Sequence, residues 1–174
     1  MAKSSKETIL HDEIKVMNAL EQNSEESVDQ IAKSCGLSRQ KVARIIKNLE
    51  KEKKIWGYTA VTDETAKNLK HFTVLAKRSN VPFGDEVRKE IILRKLDDYP
   101  MHIVRIENIY LTHGTSDWIL TFYAPDLVSA KKFVGETFRR FSKYLQEYTI
   151  IETLVPVRKH GLKNPRIKDL VEYV

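Results

Sequence analysis

The chain has 174 residues, of which 41% are hydrophobic and 31% charged, a composition typical of one globular domain or two small ones. No apolar run approaches the roughly 18 residues that a membrane span requires, and the start MAKSSKETIL lacks the apolar core of a secretory signal. A single cysteine can form neither an intramolecular disulfide nor a thiolate cluster for a metal. These features predict an intracellular, cytoplasmic protein with no membrane partner, metal site or cofactor.

The positive charge is concentrated in one segment. The net charge is +6 and the isoelectric point is about 9.3, which favours polyanionic partners only weakly. Between Lys33 and Lys54, however, eight basic residues stand against the two acids Glu50 and Glu52. A basic patch of this kind indicates a specific anionic partner better than a uniform surplus does.

The first two helices are predicted from spacing and capping residues. Ser27 and Gln30 have the form of a capping box, which opens a second short helix that Gly36 closes. The helix before it is amphipathic and about ten residues long. Its apolar stripe consists of Leu10, Ile14, Met17 and Leu20.

A tight turn then leads to a basic third helix, which Ser38 caps. Its apolar stripe consists of Val42, Ile45, Ile46 and Leu49. A short helix, a tight turn and a basic amphipathic helix have the spacing of a helix-turn-helix that binds double-stranded DNA. Arg39 and Gln40 suit guanine and adenine edges, whereas lysines and arginines further along suit phosphates. The predicted DNA-contacting residues are Ser38, Arg39, Gln40, Lys41, Arg44 and Lys47.

The segment KKIWGYTAVTD after the third helix predicts a small wing of two short strands around Gly57. A three-helix unit with a basic face is also compatible with a protein-interaction module, and the pattern alone leaves that alternative open.

The run from Leu37 to Asp63 resembles the recognition helix and wing of the Lrp/AsnC family, the feast/famine transcription regulators of bacteria and archaea. The matching positions are Leu37, Ser38, Val42, Arg44, Ile45, Leu49, Glu50, Ile55, Gly57 and Tyr58. One departure is visible, because the pair Lys53-Lys54 stands where the family often has a glycine. The resemblance implies a regulator that binds AT-rich or imperfectly palindromic promoter sites.

The remaining hundred residues predict a ferredoxin-like βαββαβ order, which makes the chain an α+β protein. We expect strands in 71–78, 102–114, 116–124 and 147–157, a helix from Phe83 to Tyr99 ended by Pro100, and a helix capped by Asp126. The predicted organisation is a winged helix-turn-helix in 1–60, a linker in 61–70, a ferredoxin-like domain in 71–158 and a basic tail in 159–174. The tail could pack as a short helix after Pro165 or contact phosphates.

The strand WILTFYA carries apolar residues on both faces, with Trp118, Leu120 and Phe122 on one and Ile119 and Tyr123 on the other. A one-sided sheet should be polar on its second face, so we expect that face to be covered by a second copy of the chain in a homodimer.

This half also resembles the ligand-binding domain of Lrp/AsnC regulators. Thr112, Gly114 and Asp117 match the hairpin of that domain with His113 as an added residue. The resemblance implies a small effector, often an amino acid, near this hairpin, and tetramers or octamers built from dimers. A tight turn alone would explain the same glycine and aspartate.

No pattern in the sequence points strongly to catalysis, so we predict that the protein is not an enzyme and has no catalytic residues. One enzyme alternative is kept, because sirohaem decarboxylases share this architecture and use histidines around a tetrapyrrole. His102 and His113 would be the histidines of such a pocket. A third option is a ligand-sensing dimer that has lost DNA binding, against which the basic third helix argues.

Overall fold

The computed structural model of the protein describes residues 6–92 and 103–173. Within them the chain divides into two compact units. The N-terminal unit comprises residues 6–61 together with 157–165, and the sheet unit comprises residues 62–92, 103–156 and 166–173. The expected tail, 159–174, is therefore shared between the two units.

Among its described residues, the N-terminal unit contains three helices: α1 (Lys6–Gln22), α2 (Val28–Cys35) and α3 (Arg39–Lys51). Their shared core consists of Val16, Ile31, Ala32, Val42, Ile45 and Leu49. The expected stripe of α1 is only half right. Met17 and Leu20 pack against this core, but Leu10 and Ile14 are 55% and 43% exposed, while Val16 and the carboxylate of Asp12 are buried in their place.

The two short wing strands expected in 53–63 are wrong, since no residue of that segment is in a strand. All residues from Trp56 to Val61 are described, and none of them is in a strand. The only hairpin of the N-terminal unit, among its described residues, is formed by β5 (Arg158–Lys159) and β6 (Leu162–Lys163). Lys53 ends the turn after α3 with a φ of 59°, a left-handed conformation that glycine adopts at lower cost. The left-handed position of this turn is thus occupied by Lys53, the first residue of the lysine pair, and not by a glycine.

The sheet unit has the predicted βαββαβ order. Its strands are β1 (Lys70–Arg78), β2 (Arg105–Leu111), β3 (Trp118–Ala124) and β4 (Leu145–Glu152), and its helices are α4 (Asp85–Ile92) and α5 (Leu127–Arg140). The strands lie in the antiparallel order β2-β3-β1-β4, which is the ferredoxin-like arrangement. Two 3₁₀ helices, Glu64–Lys67 and Ile167–Tyr173, lie before β1 and after Pro165.

One face of the sheet packs on α5 because alternate residues of the central strands are apolar. Phe72 of β1 and Phe122 of β3 are fully buried, and the Phe122 ring lies 4.9 Å from that of Phe133 on α5. Asp126 caps α5 as expected, since its side chain accepts the Ser129 N–H at 2.7 Å. The expected end of the preceding helix at Pro100 and its inward Leu96 lie outside the described residues, as does His102.

The second face of the sheet is mixed. Leu75 and Ile119 are partly buried there, and Tyr110 and Ile151 are 51% and 44% exposed. Tyr123 is already buried within the single chain. The apolar character expected for this face is therefore confined to the part away from Tyr123.

Candidate nucleic-acid interface

The α2–turn–α3 segment is held by the caps that its sequence predicts. Ser27 forms the complete capping box with Gln30, and the backbone N–H of Ser27 donates to the Gln30 amide oxygen at 2.8 Å. Gly36 ends α2 in the left-handed conformation with a φ of 67°, and the N–H of Leu37 donates to the carbonyl of Ala32 at 2.9 Å. Ser38 then caps α3 by accepting the Lys41 N–H. These local bonds fix where α3 begins.

The third helix presents opposite faces of different chemistry. Val42, Ile45 and Leu49 are buried in the core of the N-terminal unit. At 3.6 residues per turn, the face opposite them is formed by exposed residues spaced four, three and four apart. These residues are Gln40, Arg44, Lys47 and Lys51. Lys51 was not among the predicted contacts, although the same periodicity could have identified it.

Arg39, one of the predicted contacts, flanks that exposed face at the start of α3. Arg39 is 72% exposed, and its Nε lies 3.4 Å from the equally exposed carboxylate of Asp29. An exposed pair of this kind is weak and is easily exchanged for another anion. The first turn of α3 contains no acidic residue. Its N-terminal partial positive charge is thus available to an anion from outside the helix.

Lys41 occupies a different environment from the other basic residues of α3. Its side chain is 34% exposed and its ammonium forms an ion pair with Asp12 of α1, whose side chain is only 7% exposed. The sequence assigned Lys41 to phosphate. The structure shows a cation that compensates a buried carboxylate and joins α1 to α3. The signal was missed because Asp12 occupies a position that helical periodicity assigns to solvent.

The turn after α3 is tied to its surroundings by polar contacts. The ammonium of Lys54 lies 2.8 Å from the carboxylate of Glu52 and 2.9 Å from that of Glu13 on α1. Hydrogen bonds to these two carboxylates raise the pKa of Lys54. The Tyr58 hydroxyl donates to Glu50 at 3.0 Å. Trp56 between them is 95% exposed.

The residues expected to contact an effector form the β2–β3 turn. The hydroxyl of Thr112 donates to the carbonyl of Ser116 at 2.7 Å, and the Asp117 carboxylate accepts the backbone N–H of Arg78 at 2.9 Å. Gly114 is exposed with a φ of 149°. These bonds support the turn interpretation. Contact with an effector stays a prediction.

A polar network on the second face of the sheet was not predicted. The carboxylate of Glu107 accepts hydrogen bonds from the hydroxyls of Tyr123 at 2.7 Å and Thr121 at 3.1 Å, and it lies 3.1 Å from His71 Nε2. Burial alone would raise the pKa of Glu107, but the bonds from Tyr123 and Thr121 and the nearby His71 outweigh burial and lower it. Burial and the bond to Glu107 raise the pKa of Tyr123. The clue in the sequence is the polar residues that interrupt otherwise apolar strands.

His113, one of the two histidines predicted for a tetrapyrrole pocket, is not part of this network. His113 is exposed in the β2–β3 turn, and His102 lies outside the described residues. Over residues 6–92 and 103–173, no group of three or more His, Cys, Asp or Glu side chains is arranged to hold a metal ion.

Within those same described ranges, no helix combines the length and the apolar character that crossing a membrane requires.

Comparison with known proteins agrees with this geometry. Residues 13–55 match the family described as winged helix-turn-helix DNA-binding. No curated protein matches the chain significantly.

Three solved structures illustrate the similarity of fold. LrpC of B. subtilis is 21% identical, with coverage of 89% of this chain and 96% of LrpC and a TM-score of 0.60. A transcriptional regulator of Neisseria meningitidis in complex with L-Met is 18% identical, with coverage of 97% and 100% and a TM-score of 0.66. An AsnC family regulator of Agrobacterium tumefaciens is 17% identical, with coverage of 90% and 97% and a TM-score of 0.66. The resemblance seen in the sequence is confirmed: the chain joins a winged helix-turn-helix DNA-binding unit to a ferredoxin-like unit and has the fold of the Lrp/AsnC transcriptional regulators.

Proposed function

We propose that the protein is a sequence-specific transcription regulator that binds double-stranded DNA as a homodimer and responds to a small effector. The observation that carries this proposal is the exposed face of α3. Gln40, Arg44, Lys47 and Lys51 lie there without an acidic neighbour on the same face, opposite a fully apolar face. A helix of this kind fits the width of the major groove, and its cations complement the negative charge of the duplex.

The roles of the side chains follow from their positions. Arg39 and Gln40 lie in the first turn of α3, where a recognition helix approaches base edges. Arg44 and Lys47 lie one and two turns further on and serve to neutralise phosphates. Ser38 holds the backbone at the helix start, where an additional phosphate can accept from free N–H groups. Lys41 is assigned mainly to stability because it compensates Asp12.

The sheet unit is proposed to hold two copies together. The half-exposed Tyr110 and Ile151 and the partly buried Ile119 form an apolar area on the second face of the sheet. Covering this area with the same area of a second copy produces a two-fold dimer, which presents two recognition helices to symmetric half-sites. Assembly of dimers into tetramers or octamers would repeat the half-sites along the DNA.

The effector is proposed to act at the β2–β3 turn. The Neisseria meningitidis regulator was solved with L-Met, and an amino acid is accordingly the first class of ligand to examine for this chain. Thr112, Gly114 and Asp117 are the residues proposed to contact it. An effector with different affinities for two dimer or oligomer geometries would shift the population between them and so change DNA binding.

DNA selection from genomic fragments tests the central proposal. Purified full-length protein is mixed with duplex fragments over a salt series, and the bound fragments are sequenced. We expect enriched sequences and a steep loss of affinity with salt. Gln40→Ala should relax the choice at one base pair by about 1–3 kcal/mol. Lys47→Met should weaken specific and random DNA alike and lower the salt slope by about 0.9.

Lys132→Met is the matched control, since Lys132 is exposed on α5 of the sheet unit. It should alter neither the selected sequence nor the slope. If the wild-type protein binds no DNA at low salt, the regulator proposal is wrong. A preparation that then carries a strong visible absorption band would favour the tetrapyrrole enzyme instead.

Sedimentation equilibrium tests the proposed dimer. Ile151→Asp places a charge in the apolar area and should convert the dimer to a monomer at micromolar concentration. Val128→Asp is the matched control, since Val128 is 77% exposed on α5. It should leave the mass unchanged. A wild-type protein that sediments as a monomer, or an Ile151→Asp variant that stays dimeric, would contradict the proposed interface.

A further inference from the structure

The β5–β6 hairpin is a rigid basic element within the N-terminal unit. Arg158 pairs with Lys163 and Lys159 with Leu162, so only His160 and Gly161 form the loop. Both loop residues have positive φ, 46° and 80°, as a type I′ turn requires. A loop of this type matches the strand twist and holds the two strands in one register. The backbone register of the hairpin is therefore fixed, with Arg158 opposite Lys163.

The charge of the hairpin has one sign. Residues 157–165 contain Arg158, Lys159 and Lys163 and no acid. The pairing places Arg158 directly opposite Lys163, and both side chains are exposed. Like charges directly opposite each other in an antiparallel pair are destabilising. Among the described residues, neither of these two cations has an acidic partner within ion-pair distance. An external anion would relieve their repulsion.

The hairpin also supplies what the segment after α3 lacks. The sequence predicts a wing in 53–63, but that segment contains no strand. The N-terminal unit instead obtains a two-stranded element from 158–163, nearly a hundred residues later in the chain. A small basic hairpin in the same compact unit as a helix-turn-helix has the size and charge of an element that follows the DNA backbone.

We propose that the β5–β6 hairpin is a second DNA-contacting element, in which Arg158 and Lys163 bind phosphates of the duplex that α3 reads. This inference rests on the proposed function. Its occupant is the phosphodiester backbone, because two opposed cations on a short hairpin supply charge and donors but no arrangement specific for a base edge. The hairpin contributes affinity and the position on the duplex, whereas sequence choice stays with α3.

Salt-dependent binding of the full-length chain to a duplex of about 40 base pairs with random sequence tests the inference. The test variant is Arg158→Gln/Lys163→Gln, which removes two charges and keeps polar side chains of similar length. The matched control is Lys131→Gln/Lys132→Gln, which removes two charges from exposed positions on α5. Thermal unfolding of both variants shows whether the folded state is retained, because the hairpin variant loses the like-charge pair and also the bond that the Arg158 guanidinium donates to the Gly161 carbonyl.

We expect the hairpin variant to lower the slope of log Kd against log salt by about 1.8, the value for two phosphate contacts. If affinities converge near 1 M salt, this corresponds to about a 60-fold loss at 0.1 M salt. The control should keep the wild-type slope. An unchanged slope in the hairpin variant, with a lowered slope in Lys47→Met, would overturn the hairpin inference and leave the proposed function intact. Absence of binding by the wild type would overturn both.

Discussion

The exposures of Asp12 and Lys41 predict how much each partner of their ion pair contributes to stability. The two partners are buried to different extents, with side chains 7% and 34% exposed. Removing the cation leaves a carboxylate that water hardly reaches, whereas removing the carboxylate leaves an ammonium that water can still hydrate. Loss of one partner of a fully buried pair costs about 3–5 kcal/mol. We therefore expect Lys41→Met to cost about 2–3 kcal/mol and Asp12→Asn about 1 kcal/mol, because this pair lies at the edge of the core.

Urea unfolding, monitored by the circular dichroism signal of the helices, measures these losses of stability. The double variant should be more stable than the sum of the single losses predicts, with a coupling free energy of about 1–2 kcal/mol. Lys47→Met is the control and should stay within about 0.5 kcal/mol of the wild type, because Lys47 is exposed on the opposite face. The reasoning would be refuted if Lys41→Met cost no more than Asp12→Asn, or if the two losses were simply additive.

The variant Lys41→Met also shows whether Lys41 contributes to stability or contacts DNA. If Lys41 acts on Asp12, Lys41→Met should leave the salt slope of DNA binding nearly unchanged, whereas Lys47→Met lowers it by about 0.9. An equal loss of slope in both variants would mean that Lys41 reaches a phosphate in the complex.

Three further predictions concern stability. Ser38→Ala should cost about 1 kcal/mol, measured by urea unfolding, because α3 loses its N-cap; Ser38→Thr should cost less, and equal losses would contradict the capping role. Phe122→Ala should cost about 3–5 kcal/mol of unfolding free energy, because the Phe122 ring is fully buried against Phe133. Unfolding monitored by the fluorescence of Trp118 measures this loss, and a loss below 1 kcal/mol would show that neighbouring side chains fill the cavity. The third concerns Glu64, for which burial alone would raise the pKa, but hydrogen bonds from Thr62, Arg105 and Lys67 lower it from 4.5 to about 2. Because the folded pKa lies below the unfolded one, the stabilisation is complete above pH 4.5 and is lost as the pH falls towards 2. Glu64→Gln should therefore destabilise the protein at pH 7 and reduce the acid dependence of its urea midpoint, and an unchanged acid dependence would contradict this assignment.

The sequence predicts best where the determining interactions are local. Each predicted helix cap bonds to a group within about four residues along the chain. The structure confirms all four caps: Ser27, Gly36, Ser38 and Asp126. The βαββαβ order is also confirmed, because alternation along each strand and the capping of α5 are visible in short windows. Turn and strand signals could not distinguish a wing in 53–63 from an irregular segment. Lys53 takes the left-handed conformation there, which a lysine in the sequence does not indicate.

Long-range pairings explain what the sequence did not predict. The burial of Asp12 depends on Lys41, which lies 29 positions later, and helical periodicity cannot anticipate it. The network of Glu107 joins residues from β1, β2 and β3 that become neighbours only in the assembled sheet. The same cause explains the wrong expectation that Leu10 and Ile14 lie in the core. Helix α1 has two apolar faces, and its contacts with α2 and α3 determine which of them is buried.

The path of the chain between its two units has a consequence for dissecting the protein. The polypeptide leaves the N-terminal unit after residue 61, returns to it at 157–165 and leaves again at 166. Three covalent crossings join the units, so one proteolytic cut near residue 61 does not release the N-terminal unit as a complete body. A fragment that ends there lacks β5 and β6, and during synthesis the N-terminal unit is not complete until residue 165 has left the ribosome.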